Sequence, residues 1–558
     1  MKKTFLLSCL MLAAMPVMAA YTGHVYVDKN KNGVFDQSEK PLAGIKVSDG
    51  LNVVETAADG SFTLPGHERE RFIFITTPSG YKTFNRHYHK IEKKQSGYDF
   101  GLIPYSGRIR KDGSHRYIHI TDTEIFNTEN HADWVNNVHD YARNEQAAFI
   151  IHTGDLCYEK GLKAHIKLMN TENMDCPVFY CIGNHDLVKG KYGEELFESI
   201  YGPVYYSFDA GNVHYVVTPM PGGDHAPGYT SDDVCRWLKN DLAHIRPGTP
   251  VVVFNHDLLT YEDTFIFKSK NAGSINLNEY NLKAWVYGHW HINYMKKQGD
   301  VYSVCTSSLD KGGIDHSTTA FRVMHVDSKG DFTSELRYTY LDKNICIASP
   351  AGVMASDVLP VAVNVYSSVS PVKEVLYTCL ADGKPVLKNK RLLQSTDWSW
   401  NGELPLSHKY VGKELTLRVT ARFNNGEIAE AESNFICRTE KTVPLFSADW
   451  DNLSGNAKHS APVSAPLNLP LQLAWTNNVG ANLYMTSPLI HKGKVIVASV
   501  DEDLKGAGHV YALNGKDGTI LWSCPVRNSI KNSIAVDSDI VFAQDAQAFL
   551  YAIDAETG

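Results

Sequence analysis

Beyond residue 20 the 558-residue sequence has no apolar run that approaches the ~20 residues needed to span a bilayer, so no transmembrane segment is expected there. Cysteine is sparse and scattered, with 10 in the whole chain, which excludes a fold built on a dense disulfide framework. An excess of positive charge is also absent, because the net charge is -8. Neither a nucleic-acid duplex nor an anionic membrane is therefore an expected partner.

The N-terminus "MKKTFLLSCLMLAAMPVMAA" has two lysines, an apolar stretch and then small residues. This pattern predicts a secretory signal over residues 1–20, cut near Ala19 or Ala20, and hence an exported, periplasmic or extracellular protein. Removing the signal leaves an odd set of cysteines. If a bridge forms, the expected pair is Cys379 with Cys437, which share one predicted β domain; free buried thiols are the alternative.

The length indicates several domains, because it exceeds what one hydrophobic core serves. Residues 21–105 read as short alternating strands and predict a small β domain. Residues 110–340 alternate apolar strands with amphipathic helices such as "ADWVNNVHDYARNEQ" and "KAHIKLMNTEN", which predicts an α/β sandwich of central sheets flanked by helices. Residues 346–440 return to period-two patterning and predict a β-sandwich.

Residues 445–558 contain an internal repeat. "HVYALNGKDGTILW" is echoed by "FLYAIDAETG", and Tyr511 and Tyr551 are 40 residues apart, the length of a four-stranded blade. The segment resembles quinoprotein-type β-propeller repeats, and the expectation is an incomplete propeller of a truncated protein, because the sequence stops within the motif at Gly558. A quinone-dependent dehydrogenase is the weakest functional alternative, since two blades cannot enclose a cofactor.

Candidate metal ligands recur directly after the apolar strands of the α/β region, in "HITDTE", "IIHTGDLC", "CIGNHD", "VVVFNHD" and "WVYGHWH". Strand ends at one edge of such a sheet converge in space, so these side chains are expected to meet. Mixed oxygen and nitrogen donors without cysteine favour Mn, Fe or Zn over a thiolate zinc site, and their number is enough for two adjacent divalent ions. The candidates are Asp122, Glu124, Asp155, Asn184, His185, Asp186, His256, His289 and His291.

The order of these motifs resembles the calcineurin-like metallophosphoesterase family over about residues 114–330. Each motif alone could simply cap a helix or form a turn. The resemblance implies a first metal bound by Asp122, Asp155 and His291. It implies a second metal bound by Asp155, Asn184, His256 and His289, with Asp155 bridging the two ions. It also implies His185 as a general acid that Asp186 orients.

The expected reaction is hydrolysis of a small-molecule, glycan or nucleotide phosphomonoester or phosphodiester by metal-bound hydroxide, with a histidine acid protonating the leaving group. Glu124 departs from the commonest family form, which has histidine there. It could coordinate the first metal or turn away from it. The alternative function is a glycan- or partner-binding surface protein with a degraded phosphoesterase domain, and Glu124 is the feature that favours it.

A second metal candidate lies at residues 28–39, "DKNKNGVFDQSE". Its spacing matches a twelve-residue calcium loop, with glycine at the sixth position and glutamate at the twelfth. No flanking helices are evident, so the segment resembles the calcium loops of extracellular β modules. A polar Asn/Gly-rich turn without an ion is the alternative. The candidate ligands for this structural calcium are Asp28, Asn30, Asn32, Asp36 and Glu39.

Overall fold

The computed structural model describes residues 20–354, 358–438, 448–460 and 473–558. The predicted signal at residues 1–20 lies outside these ranges, apart from Ala20. Within the described residues, no helix is both long enough and apolar enough to cross a membrane.

The N-terminal part is all β, and its alternating strands bury one face each, as in Ser61–Leu64, where Phe62 and Leu64 join a core with Val25 and Phe100. Its strands are β1 (Tyr21–Val27), β2 (Lys40–Pro41), β3 (Lys46–Ser48), β4 (Val53–Glu55), β5 (Ser61–Leu64), β6 (Phe72–Ile75), β7 (Tyr81–Thr83), β8 (Tyr88–Lys90) and β9 (Phe100–Pro104). They form two sheets with the orders β2-β1-β9-β7, with β5 on β1, and β4-β3-β6-β8.

The central part alternates strands and helices. Its helices are α1 (Ala132–Asn144), α2 (Tyr158–Leu168), α3 (Glu195–Tyr201) and α4 (Ser231–Ala243). Its strands are β10 (His115–Ile120), β11 (Phe149–His152), β12 (Val178–Tyr180), β13 (Tyr206–Ala210), β14 (Val213–Val217), β15 (Val251–Phe254), β16 (Ile266–Phe267), β17 (Ile275–Asn276), β18 (Leu282–Tyr287), β19 (Tyr294–Gln298), β20 (Val301–Cys305), β21 (Ala320–Val326) and β22 (Phe332–Tyr338).

Two sheets of this part pack face to face. One has the order β12-β11-β10-β21-β22 and the other β13-β14-β15-β18-β20-β19. The layer between them is aromatic: Tyr117 and Phe149 of the first sheet meet Phe208, Tyr215 and Phe254 of the second. Strands β10, β11 and β12 run parallel, as do β14, β15, β18 and β20, so their carboxyl ends lie at common edges.

The helices cover the outer faces of the sheets. Helix α1 buries Trp134, Val138 and Tyr141 on one side, at helical spacing, against the first sheet. Helix α2 lies earlier than the segment "KAHIKLMNTEN" predicted. It ends at Leu168 because the Asn170 side chain accepts the N–H groups of Glu172 and Asn173, a local turn that competes with the helix.

The next part is a pair of sheets. Its strands are β23 (Asn344–Ser349), β24 (Gly352–Met354), β25 (Val358–Tyr366), β26 (Val372–Ala381), β27 (Lys384–Arg391), β28 (Leu393–Gln394), β29 (Ser399–Pro405), β30 (Glu414–Phe423) and β31 (Ile428–Cys437). The two sheets have the orders β23-β25-β29-β28 and β24-β31-β30-β26-β27. The shared core includes Val361 and Val363 of one sheet and Leu417 and Val419 of the other, as the period-two pattern predicts.

The predicted bridge between Cys379 and Cys437 is wrong, because Cys379 is a free thiol. Cys379 is paired with Leu417, and Leu417 with Ser433, so the two cysteines lie two strands apart and are offset by four residues. That separation exceeds the ~7 Å limit between Cα atoms that a disulfide can span.

The C-terminal part is also built of β-strands. Its strands are β32 (Leu489–His491), β33 (Lys494–Ala498), β34 (His509–Asn514), β35 (Ile520–Pro525), β36 (Ala535–Asp537), β37 (Ile540–Gln544) and β38 (Leu550–Asp554). They form two sheets with the orders β32-β33-β34-β35 and β36-β37-β38. The repeat recurs in the packing, since the ring of Trp475 lies on Gly518 and that of Trp522 on Gly558. The predicted multidomain architecture, an α/β sandwich with accessory β-rich units, is confirmed.

Candidate metal centre

The ligand motifs of the sequence follow the carboxyl ends of five parallel strands. Asp122 lies just beyond β10, Asp155 beyond β11 and Asn184 beyond β12 in the first sheet. His256 lies beyond β15, and His289 and His291 beyond β18, in the second sheet. Because the two sheets pack face to face, both sets of strand ends open onto one cleft.

One group of donor atoms surrounds the side chain of His291. Its Nε2 atom lies 3.3 Å from Asp122 Oδ1 and 3.6 Å from Glu124 Oε1. Donor atoms that share one ion lie about 3–4 Å apart, because each is roughly 2.1 Å from it. Each carboxylate therefore lies at a distance from His291 that two ligands of a common metal have.

A second group of donor atoms contains Asp155, His256 and His289, which offer ligand atoms within 4.8 Å of one another. His256 Nε2 is 3.1 Å from Asp155 Oδ2. Asp155 also lies within 4.8 Å of Glu124 and His185. One carboxylate thus stands between the two groups, where a bridging ligand would be needed.

Three buried atoms that could bind a metal make no hydrogen bond to the residues that the structure describes: Asp122 Oδ1, Asn184 Oδ1 and His256 Nε2. The contact of His256 Nε2 with Asp155 is close, but it is not aligned as a hydrogen bond. An unsatisfied buried polar group is costly, so these atoms call for a bound partner. All three are acceptors or imidazole nitrogens, and the residues fit divalent cations.

The electrostatics of the site also favour a cation. Burial alone would lower the pKa of His256, but the carboxylates of Asp155 and Asp122 outweigh it and raise that pKa to about 10. The Nδ1–H of His256 donates to the Thr153 carbonyl at 2.7 Å, which turns Nε2 toward the cleft. A second-sphere bond of this kind is what orients metal-binding histidines.

The backbone at the site is strained. Left-handed φ angles occur at Asp122 (49°), Glu124 (44°), Asp155 (57°), His289 (63°) and His291 (50°). Non-glycine residues adopt this region rarely, and such strain concentrates at functional sites. Gly183 allows the close approach of two strand ends, since a Cβ there would lie 2.2 Å from Asp155 Oδ1.

The predicted role of Asp186 as the orienting partner of His185 is wrong. The Asp186 carboxylate is fully buried and accepts the backbone N–H groups of Asp155, Cys157 and Gly183, so it shapes the loops below the cleft. His185 Nδ1 instead donates to Asp224 Oδ2 at 2.9 Å. Asp224 lies in the loop "PMPGGDHAPGY", whose sequence contains no spacing that would have identified it.

Glu124 faces the cleft and does not turn away. Its Oε2 atom accepts a hydrogen bond from Lys311 Nζ at 2.9 Å, while Oε1 points to His291. Lys311 offsets the additional negative charge that glutamate brings to this position. Sequence reasoning missed Lys311, because it lies far from every ligand motif.

The calcium-type loop at residues 28–39 forms a compact turn. Asp28 accepts the N–H groups of Asn32 and Gly33, and Glu39 accepts those of Lys29 and Asp36. Asn30 and Asn32 both donate to Asp36. The turn alone explains these bonds, and calcium binding stays a prediction.

Three family models match the chain. Residues 29–104 match the N terminal of calcineurin-like phosphoesterase, and residues 115–293 match calcineurin-like phosphoesterase. Residues 472–558 match the outer membrane protein assembly factor BamB. Purple acid phosphatase 13 of Arabidopsis thaliana is 26% identical over 212 residues, which is 36% of this chain and 36% of that protein. The chain therefore spans about a third of the length of this curated relative.

Two solved structures show a weak likeness to this chain. A predicted phosphoesterase from Streptococcus pneumoniae is 12% identical, covers 40% of this chain and 98% of its own, and gives a TM-score of 0.20. BamB from Moraxella catarrhalis is 13% identical, covers 44% of this chain and 70% of its own, and gives a TM-score of 0.12.

Proposed function

Since residues 115–293 are a calcineurin-like phosphoesterase domain, we propose that this chain is an exported, metal-dependent phosphoesterase that hydrolyses a phosphomonoester or phosphodiester of a small molecule, glycan or nucleotide. The observation that carries the proposal is the set of buried candidate ligand atoms that make no aligned hydrogen bond, Asp122 Oδ1, Asn184 Oδ1 and His256 Nε2, at the edge where both sheets end. Buried polar atoms are usually hydrogen-bonded, so three such atoms together at one edge support a bound cation.

Two divalent ions would be bound by the two groups of donors. Asp122, Glu124 and His291 would bind the first ion. Asn184, His256 and His289 would bind the second, and Asp155 would bridge them. When bound, such ions supply Lewis acidity and a water nucleophile at neutral pH. Oxygen and nitrogen donors without a thiolate suit Mn, Fe or Zn.

His185 would protonate the leaving group. Its Nδ1–H is bonded to Asp224, which fixes the ring and leaves Nε2 to reach a substrate oxygen. Its backbone N–H donates to Asp155 Oδ1 at 3.0 Å, so the ring is held next to the bridging carboxylate. The side chain is about a third exposed (32%), as an acid at the mouth of a cleft must be.

Two observations support export. The N-terminal sequence has the organisation of a secretory signal. Residues 472–558 match a family described as the outer membrane protein assembly factor BamB, and the outer membrane lies outside the cytoplasm.

The variant His185→Ala tests the mechanism. Turnover of an alkyl phosphate should fall by roughly 100-fold or more, because its alkoxide cannot leave unprotonated. An aryl phosphate with a good leaving group should lose far less, and metal content should stay near two ions per chain. Equal losses with both substrates would rule out the acid role. Bound metal without hydrolysis of any phosphoester would instead support a glycan- or partner-binding protein.

A further inference from the structure

The BamB-like segment, described from residue 473 to 558, contacts the chain just beyond His291. Lys531 Nζ donates to the carbonyl of Asn293 at 2.7 Å. Asn528 Nδ2 donates to the carbonyl of Met295 at 3.0 Å. Asn293 and Met295 are two and four residues after His291, so the C-terminal segment bonds to the loop that carries this candidate ligand and to β19, which follows it.

Lys531 joins that loop to a second one. Its ammonium also lies 2.8 Å from Asp315 Oδ2 and 2.8 Å from Glu502 Oε1, and its side chain is only 12% exposed. Residue 314, next to Asp315, donates its N–H to the His291 carbonyl at 2.9 Å. One largely buried cation thus contacts both the loop that carries His291, at Asn293, and the stretch whose backbone bonds to the His291 carbonyl.

A separate route leads from the segment to His256. Arg322 is fully buried and donates to Asp503 Oδ1 at 2.6 Å. The route continues through four further hydrogen bonds. The Arg322 guanidinium donates to Thr306, and the His119 ring lies between the hydroxyls of Thr306 and Thr153. The Thr153 carbonyl accepts the Nδ1–H of His256. Hydrogen bonds therefore connect the C-terminal segment to the loop of His291 directly and to His256 through a chain of side chains, one candidate ligand for each ion.

We propose that the BamB-like segment braces the metal centre and that Lys531 is a positioning residue for His291. The inference rests on the proposed function, because it requires His291 to bind a metal. Outer-sphere groups that fix a ligand typically contribute 10- to 100-fold to metal affinity. Lys531 fits that role, since one bond ends on the carbonyl of Asn293, two residues after the ligand, and another on Asp315, whose neighbour Ile314 donates to the His291 carbonyl.

The test measures binding of Mn²⁺ to the metal-free full-length chain by titration calorimetry. Asp122→Asn identifies which binding step belongs to the first site. Lys531→Met should raise the Kd of that step about tenfold and leave the other step within twofold. Lys531→Arg should restore the affinity, because guanidinium keeps the charge and the donors. Asn528→Ala, a milder change, should weaken the same step to a smaller extent.

The control variant is Lys516→Met, which removes an exposed lysine of the same segment. Circular dichroism checks that each variant is folded, and Asn528→Ala decides the matter if Lys531→Met is not. Unchanged Mn²⁺ affinity in the folded variants, with two ions and phosphoester hydrolysis in the parent chain, would overturn the brace alone. A parent chain that binds no Mn²⁺ would overturn the proposed function and the brace together.

Discussion

Asp224 is the residue that decides how His185 is held. It lies 39 positions along the chain from His185, and no other described carboxylate bonds to that ring. Asp224→Asn should lower turnover of an alkyl phosphate by at least about tenfold, because the amide cannot stabilise the charged imidazole. Steady-state kinetics with alkyl and aryl phosphates measures the change.

The matched control is Asp140→Asn, which removes the carboxylate from another His–Asp pair, at 3.0 Å from His139 on helix α1. This change should leave both activities within twofold. A full-strength Asp224→Asn enzyme would mean that the ring is oriented by something else.

Some residues of the candidate site can be located from the sequence, and others cannot. Asp122, Asp155 and His256 follow apolar strands, so the convergence of strand ends locates them without a structure. Asp186 follows His185 directly, yet it points into the protein interior, because neighbouring residues of a turn face different ways. Asp224 and Lys311 enter the site through long loops, whose path depends on packing that no local pattern encodes.

At the scale of elements, helix α4 anchors the loop that carries Asp224. Thr230 caps the helix: its Oγ1 accepts the Asp233 N–H, and the Asp233 side chain accepts the Thr230 N–H. Thr230→Ala should lower the free energy of unfolding by about 1 kcal/mol, since it removes one half of this capping box. Urea unfolding measures the change.

Thr128→Ala is the control for that change, because Thr128 is exposed in a loop outside the helices. It should alter the free energy of unfolding by less than about 0.5 kcal/mol. An identical midpoint for Thr230→Ala and the parent chain would show that the cap carries no stability.

Hydrophobic periodicity predicts which segments are helices or strands, but it does not predict where some of the helices begin and end. Helix α1 begins within the predicted segment because its apolar residues recur at helical spacing. Helix α2 starts five residues before the predicted segment, at Tyr158, since Cys157 and Tyr158 adopt left-handed φ angles beside the metal centre. Such a start is a product of tertiary packing, which period alone does not report.

At the scale of the whole molecule, a buried charge cluster joins the N-terminal and central parts of the fold. His214 of β14 lies between Asp209 of β13, at 2.7 Å, and Asp241 of α4, at 2.8 Å. Lys46, on β3 of the N-terminal part, lies 3.6 Å from Asp209. Burial alone would lower the pKa of His214, but Asp241 and Asp209 raise it to about 9.

This raised pKa predicts a pH dependence of stability. The stabilisation is fully present below the unfolded pKa of about 6.5 and is lost as pH rises through about 9, because the folded state then releases its proton. The loss should be about 3 kcal/mol. Urea unfolding from pH 6 to pH 10 tests it, with His214→Gln as the control that should flatten this part of the curve. A parent chain with equal stability at pH 6.5 and 9 would contradict it.

The ligands proposed for one metal pair are distributed along the chain from Asp122 to His291. No short stretch of the nascent polypeptide can assemble the set, and the bracing lysine is synthesised later still. If the chain crosses the membrane unfolded, as a secretory signal requires, its ions are chosen from those present where folding is completed. The metal ions available in that compartment, and not those of the cytoplasm, would then decide which metal the folded chain contains.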